Sequence, residues 1–285
     1  ESQEALDDHL AMLEEATRRD HRKLGRDLDL FMFDPVAPAS PFFFPKGALV
    51  YNALVDYIRD LYQKHGYQEV ITPQVLSADL WKTSGHYSNY KDNMYFLNIE
   101  EREFGIKPMN CPGHILMFKS RLHSYRDLPV RYGDFTRLHR NERSGVTHGL
   151  TRVRAFAQDD AHIFCRPDQV QPEVVGFIDM LTEAYRMFGF NEPIVRLSRR
   201  PEKRMGSDEL WDRAEAALVD ALRSQGVQYQ DLPGEGAFYG PKVDFFVKDA
   251  LKREWQLGTC QLDFNLPERF GIEYITREGV SAGLP

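Results

Sequence analysis

Cysteine is scarce in this 285-residue chain, which has only Cys111, Cys165 and Cys260. Three thiols cannot build a disulfide framework, and such sparing use suits a reducing compartment, so the expected location is cytoplasmic. Long apolar runs are lacking too. None approaches the roughly 18–20 residues that span a bilayer, so no membrane partner is expected. The chain opens at Glu1 on an acidic segment, without the basic stretch and apolar run of a secretory leader. The missing initial Met marks a trimmed chain and leaves a lost targeting segment open. Repeats and low-complexity tracts are absent. What remains, 42% hydrophobic and 28% charged residues, is the composition of a folded globular chain. At about 150 residues per domain, the length admits one large domain or two small ones.

Acid exceeds base, 43 Asp+Glu against 36 Lys+Arg, for a net charge of −7. That average weighs lightly against nucleic acid but conceals an asymmetry. Between Lys119 and Arg154, nine basic residues meet three acidic ones, a local +6 that leaves −13 elsewhere. Eight of the nine are Arg, whose guanidinium suits bidentate phosphate contacts. Most such clusters are solvated faces. This one lies in a strand-like stretch rather than a charged helix, which favours a polyanion site.

Leu6, Leu10 and Leu13 mark an amphipathic N-terminal helix that turns basic at Arg18–Arg22. A Pro- and Ser-rich break spans Asp34–Pro45. The next helix has Val50, Leu54, Ile58 and Leu61 on one face and stops at Gly66. Tyr67–Thr72 reads as a strand ended by Pro73, Met94–Ile99 and Glu103–Lys107 as a hairpin, and Pro112 as a helix start. Val130–His139 and Thr151–Phe164 read as two long strands around a loop with Gly145 and Gly149. A helix carrying Val170, Val174, Ile178, Leu181, Tyr185 and Phe188 follows, then a strand at Ile194–Ser198 and a helix capped by Ser207 that runs to Arg223. Val227–Phe264 is strand-rich. Clustered strands favour an α+β fold with an antiparallel sheet flanked by helices.

The segment Arg152 to His162 carries the most chemistry. In a strand its even positions share one face: Arg152, Arg154, Phe156, Gln158, Asp160 and His162. Two cations, an aromatic ring, an amide, a carboxylate and an imidazole in one row describe the floor of a polar cleft better than a solvated face. Upstream, Arg140 and Glu142 lie two residues apart, again on one face if extended.

His139-Arg140-Asn141-Glu142, a loop, and then Arg152, Phe156 and Asp160 resemble motif 2 of the class II aminoacyl-tRNA synthetases. Met109-Asn110-Cys111-Pro112-Gly113-His114, Tyr125-Arg126-Asp127-Leu128-Pro129, Asp159-Asp160-Ala161-His162-Ile163-Phe164 and Gly236-Ala237-Phe238-Tyr239-Gly240-Pro241-Lys242 narrow the resemblance to the threonyl-tRNA synthetase family. It runs from about Arg19 to the end of the chain. Gln68-Glu69-Val70-Ile71-Thr72-Pro73 resembles motif 1, which implies a homodimer formed through the region around Pro73. The implied division is an N-terminal helix and linker over residues 1–33 and a class II catalytic domain over 34–285.

The resemblance implies roles for the matching residues. Arg140 would hold the α-phosphate of ATP where charge develops, with Lys242 approaching the same group. Glu142 would accept from the adenine amino group, Phe156 would stack on the ring, and Arg152, Gln256 and Thr259 would add to nucleotide binding. Gln256 differs in parity from Thr259 and Gln261, so a bulge is expected near Gly258. Met109, Gln158, Asp160, Tyr239 and Gln261 would hold threonine. No protein base is needed for the first step, because the carboxylate is already a nucleophile. His86 would assist deprotonation of the terminal ribose hydroxyl during transfer to the acceptor end of tRNA(Thr), a role that an unshifted pKa near 6.5 suits.

Cys111 and His162 match two of three family zinc ligands, although two residues fifty-one apart make a weak metal signal by spacing alone. Cys111 sits at a helix start, where a thiolate is favoured. Zinc that binds the amino and hydroxyl groups would distinguish threonine from near-isosteric valine. Cofactors implied are therefore Zn²⁺, and Mg²⁺ with ATP. Cys165 and Cys260 are expected to be structural. No histidine follows His162, so the third ligand is missing, as are motif 3 and the anticodon-binding and editing domains. The expectation is an incomplete catalytic domain that activates threonine to threonyl-adenylate. Two rivals stay open: a non-catalytic synthetase-like protein that binds threonine, tRNA or a regulatory partner, and a standalone ligase that charges another carrier.

Overall fold

A computed structural model describes residues 2–249 and 251–284. Glu1 and Pro285, the outer bounds of the two expected segments, lie outside the described residues. Helix α1 (Gln3–Arg18) is capped by Ser2 and buries no residue; its Leu6, Leu10 and Leu13 are all exposed. Helix α2 (His21–Asp27) packs on β1 (Phe31–Met32), which pairs antiparallel with β2 (Phe42–Phe43). The boundary expected at residues 33/34 thus falls between two paired strands.

Helix α3 (Pro45–Lys64) begins on proline, where a missing N–H costs nothing. Its expected apolar face is only half used: Leu61 is buried, while Val50 and Leu54 are exposed. After β3 (Gln68–Glu69) and β4 (Val75–Ser77) come the short helices α4 (Ala78–Ser84) and α5 (His86–Asn89). The expected hairpin is β5 (Tyr95–Ile99) and β6 (Arg102–Ile106), with β4 on its outer edge. Helix α6 (Cys111–Lys119) starts at the Cys-Pro pair.

The two long strands expected next are each broken. Val130–His139 becomes β7 (Val130–Asp134) and β8 (Arg137–His139), and Thr151–Phe164 becomes β9 (Ala155–Ala157) and β10 (Asp160–Phe164). β8 pairs with β9, β7 pairs with β10, and β3 adds to β7 in parallel. Gln158 and Asp159 fall in the break, so Arg152 to His162 is not one continuous row. The chain swings there from a two-stranded hairpin into a separate three-stranded sheet.

Helix α7 (Val170–Met187) buries the expected stripe apart from Phe188, which is its exposed C-cap. Strand β11 (Ile194–Ser198) and helix α8 (Asp208–Ser224), whose cap Ser207 accepts from the Leu210 N–H, agree with the sequence. Then follow β12 (Gln230–Leu232), β13 (Lys242–Lys248) and β14 (Glu254–Gln261), in a four-stranded sheet ordered β12-β11-β13-β14. The chain closes with α9 (Asn265–Phe270) and the hairpin of β15 (Glu273–Ile275) with β16 (Ser281–Gly283), none of which the sequence pattern marked. Most pairings are antiparallel, as an α+β fold requires; β3–β7 and β11–β12 are parallel.

Two apolar cores result among the described residues. One joins α7 and α8 to β11 and β13 through Ile178, Leu181, Leu197, Leu218 and Phe245. The other gathers Ile115, Phe118, Phe164, Leu266 and Phe270 under α6 and α9. β10 and β14 stand at the edges of their sheets, and both contribute to the wall of one cavity.

Candidate functional site

That cavity has a volume of about 600 Å³. Of the residues expected at the site, Met109, Cys111, Arg140, Gln158, Asp160, His162, Tyr239, Thr259 and Gln261 line it. His86, Glu142, Arg152, Phe156, Lys242 and Gln256 do not, and each has a particular place around it.

Glu142, Arg152 and Phe156 sit with Arg140 on the β8–β9 hairpin. Arg140 leaves β8 and sets its guanidinium 5.0 Å from the Phe156 ring centroid, with Nε donating to the Pro108 carbonyl at 3.3 Å. Register explains the meeting, because His139 pairs with Ala155 and Leu138 with Phe156. Glu142 is ion-paired with Arg152 at 3.1 Å, and its carbonyl accepts from Arg154 Nε at 2.9 Å. The basic segment as a whole does not form one patch: Arg131 pairs with Glu173 at 2.6 Å, Arg137 lies over Phe43 and Tyr51, and Lys119 donates to the Phe270 carbonyl.

A second group centres on Asp244, which sequence reasoning missed. Its buried carboxylate pairs with Lys242 at 2.8 Å and accepts from Gln256 Nε2 and Thr259 Oγ1, each at 2.9 Å, and from Ser198 Oγ at 3.2 Å. The expected bulge is present. Phe245 faces Gly258 but Phe246 faces Gln256, leaving Leu257 as the extra residue. Gln256 is thereby brought to the face shared by Thr259 and Gln261, opposite Phe246, Asp244 and Lys242. Gly258 leaves room beside the bulge, since a Cβ there would lie 2.6 Å from Leu181 Cδ1 and 2.8 Å from Tyr185 Oη and would force those side chains to shift. The signal for Asp244 was its i, i+2 spacing from Lys242 on a strand.

The third group forms the cavity wall. Asp160 pairs across β7–β10 with Asp134 and accepts from Asn110 Nδ2 at 3.0 Å. Tyr239 Oη donates to Gln261 Oε1, and burial pushes the phenol well above its ordinary range. Gly240 makes this approach possible, because a Cβ would lie 2.0 Å from the Leu262 carbonyl oxygen. Two further carboxyls for which no role was expected, Asp159 and Asp263, line the wall. Burial raises both Asp159 and Asp263 to about 6, even though Asp263 accepts from the Asn265 and Leu266 N–H groups at the start of α9.

Two expectations about titration fail. His86 was to be unshifted, but it is fully buried and desolvation holds it at about 4. Its Nδ1 meets Ser84 Oγ at 2.8 Å and its Nε2 meets Met109 Sδ at 3.2 Å, so it stands behind Met109 and not in the cavity. Cys111 was to favour its thiolate at the helix start, but burial beside Asp160 and Asp263 pushes the thiol up. His162 is also depressed by burial, to about 4, and its Nδ1 lies 2.8 Å from His114 Nδ1. Cys111 and His162 share the cavity, yet among the described residues no group of three or more His, Cys, Asp or Glu is placed to hold a metal ion. Two donors do not complete a tetrahedral zinc site. Also among the described residues, no helix is long and apolar enough to cross a membrane.

A family model for the tRNA synthetase class II core domain (G, H, P, S and T) matches residues 90–282. The threonine–tRNA ligase of Methylobacillus flagellatus is 56% identical over 275 residues, covering 96% of this chain and 43% of that protein. That of Bdellovibrio bacteriovorus is 55% identical over 269 residues, covering 94% and 41%. The chain therefore spans less than half the length of these curated relatives. Among solved structures, a crystal structure described as the RNA binding domain of threonyl-tRNA synthetase from Cryptosporidium parvum superposes with a TM-score of 0.89 at 54% identity, over 91% of this chain and 65% of that one. Giardia lamblia prolyl-tRNA synthetase in complex with prolyl-adenylate shares the fold at 15% identity, with a TM-score of 0.72 over 94% and 49%.

Proposed function

The chain belongs to the class II tRNA synthetase core-domain family, and on that premise we propose that it carries the site at which threonine is activated by ATP and passed to tRNA(Thr). One observation carries the reading: a single cavity brings Arg140 together with Gln158, Asp160, Tyr239 and Gln261. An anionic group and an amino acid bearing an ammonium and a hydroxyl both find partners there.

In this reading Asp160 accepts from the threonine ammonium, and Tyr239 with Gln261 and Gln158 supplies further polar contacts. The threonine carboxylate attacks the α-phosphorus of Mg²⁺-bound ATP. As the new P–O bond forms, the bond to the β-phosphate breaks and pyrophosphate leaves. Arg140 and Lys242 stabilise the charge on the non-bridging oxygens, and positioning supplies the rest of the rate. Phe156 stacks on adenine, while Glu142, Arg152, Gln256 and Thr259 complete the nucleotide side. His86 serves the transfer step, for which Met109 must first move aside. Cys111 and His162 would be this chain's two donors to a zinc that selects for the threonine hydroxyl, but two donors do not complete such a site, and no step here depends on it. The exposed Leu49, Val50 and Leu54 of α3, together with exposed Ile71 before Pro73, are apolar groups that a second copy would cover in a homodimer. Three free thiols suit a cytoplasmic location. Residues 1–33 act as the helix and linker leading into the catalytic unit 34–285.

The test is threonine-dependent exchange of labelled pyrophosphate into ATP. Exchange with threonine, and at least about 10²-fold less with valine, supports the reading, since a site built to bond a hydroxyl rejects an analogue without it. Exchange with neither amino acid refutes it.

A further inference from the structure

We propose that Asn110 is a positioning residue for Asp160, fixed in one amide orientation by the buried pair Lys107 and Asp134. The inference rests on the reading above, in which Asp160 receives the amino acid.

Lys107 is fully buried, and a buried ammonium persists only when its N–H groups are all matched. Its Nζ lies 2.7 Å from Thr72 Oγ1, 2.5 Å from Thr136 Oγ1 and 2.8 Å from Asn110 Oδ1, three close acceptors for three N–H groups. Asp134, fully buried as well, accepts from the Thr72 hydroxyl at 2.7 Å and N–H at 3.2 Å, and from the Thr136 hydroxyl at 2.5 Å and N–H at 2.7 Å. Each threonine hydroxyl therefore accepts from Lys107 and donates to Asp134. The direct Lys107–Asp134 separation is 3.5 Å, so the two charges are joined mainly through these hydroxyls.

An ammonium cannot accept and a carboxylate cannot donate. Between them, Asn110 has one workable orientation, with Oδ1 to Lys107 and Nδ2 to Asp160 Oδ2 at 3.0 Å. Turned over, its NH₂ would meet the ammonium and its oxygen the carboxylate. Asn110 is 1% exposed and immediately precedes α6, where an asparagine ordinarily caps the helix, yet its side chain makes no capping bond. Its amide is committed to Lys107 and Asp160 instead. One Asp160 oxygen is thus held from behind, which sets the plane of the carboxylate against the cavity.

The variants Asn110→Asp and Asn110→Ala test this. Asn110→Asp keeps an oxygen for Lys107 but removes the donor to Asp160. The expected result for both is a rise in the threonine KM of about tenfold or more, with the ATP KM unchanged within twofold. In Asn110→Asp the melting temperature should also be retained. Equal losses for threonine and ATP, or no loss, would overturn the proposal. A second measurement is independent of the substrate: in the ligand-free protein, the Asn110 side-chain amide protons should resist solvent exchange in ¹⁵N NMR and lose that protection in Asp160→Ala. Fast exchange in the unaltered protein overturns the link. Protected protons in a protein that binds no threonine would instead sustain the link and defeat the functional reading.

Discussion

The proposed nucleotide and amino-acid sides of the site, around and within the cavity, hold their polar groups in opposite ways. On the nucleotide side, the groups expected to meet ATP occupy one another: Arg152 pairs with Glu142, Arg140 lies over Phe156, and Asp244 holds Lys242, Gln256 and Thr259. On the amino-acid side, Asp160 is held from behind by Asn110, which leans on a fully buried ion pair. Groups that must exchange partners for a ligand make an adaptable site. Groups braced from the interior make a rigid one, and rigidity is what discrimination between near-isosteric amino acids demands.

The largest expected effect comes from removing the brace. Lys107→Met strands a buried carboxylate, and breaking such a pair costs about 3–5 kcal/mol. Chemical denaturation should show this loss, and a cost below about 1 kcal/mol would mean that the interior pair is not what stiffens the amino-acid side. On the other side, Arg140→Ala removes the cation proposed to meet the reacting phosphate. Adenylate formation should slow by about 10³-fold, while calorimetric threonine affinity stays within threefold. A comparable loss of threonine binding would erase the distinction between the sides. A smaller effect is expected from Asp244→Asn, which loosens Lys242, Gln256 and Thr259 together: the ATP KM should rise about tenfold, as for the loss of one charge-assisted contact, with the threonine KM unmoved.

The smallest effect sharpens the electrostatics of the wall. Burial holds the Asp263 carboxyl at about 6 in the folded chain, against about 3.9 when unfolded. The folded state binds this proton more tightly, so its stabilising contribution is complete below about pH 4 and is lost as the pH rises through 6. Asp263→Asn keeps an oxygen for the two N–H groups at the start of α9. It should raise stability at pH 8 by on the order of 1–2 kcal/mol and add nothing at pH 4. Melting curves across that range check it, and an equal gain at both pH values would show that the carboxyl is not desolvated.

Much of the fold was legible where local chemistry decides the outcome. Pro112 started α6, Ser207 capped α8, the α7 stripe was buried as spaced, and the parity clash between Gln256 and Gln261 announced the bulge beside Gly258. What stayed hidden depends on tertiary partners. No alternation in Arg152–His162 reveals that the chain changes sheets at Gln158, because both halves are good strand sequence. Lys107 reads as a strand-end lysine until Thr72, Asn110 and Thr136 converge on it. His86 follows a glycine that ends a helix, an ordinary surface setting, yet Trp81 and Phe238 enclose it. The site residues named by motif resemblance were mostly brought together, whereas the groups that hold them, Asp244, Asn110 and Asp134, came only from the structure.

The most direct test of the account is a calorimetric titration of the ATP-free protein with threonine and then with valine. A braced amino-acid side predicts that threonine binds without nucleotide and that valine binds at least about 10²-fold more weakly. Equal affinity for the two, or threonine binding only once ATP is present, would contradict it.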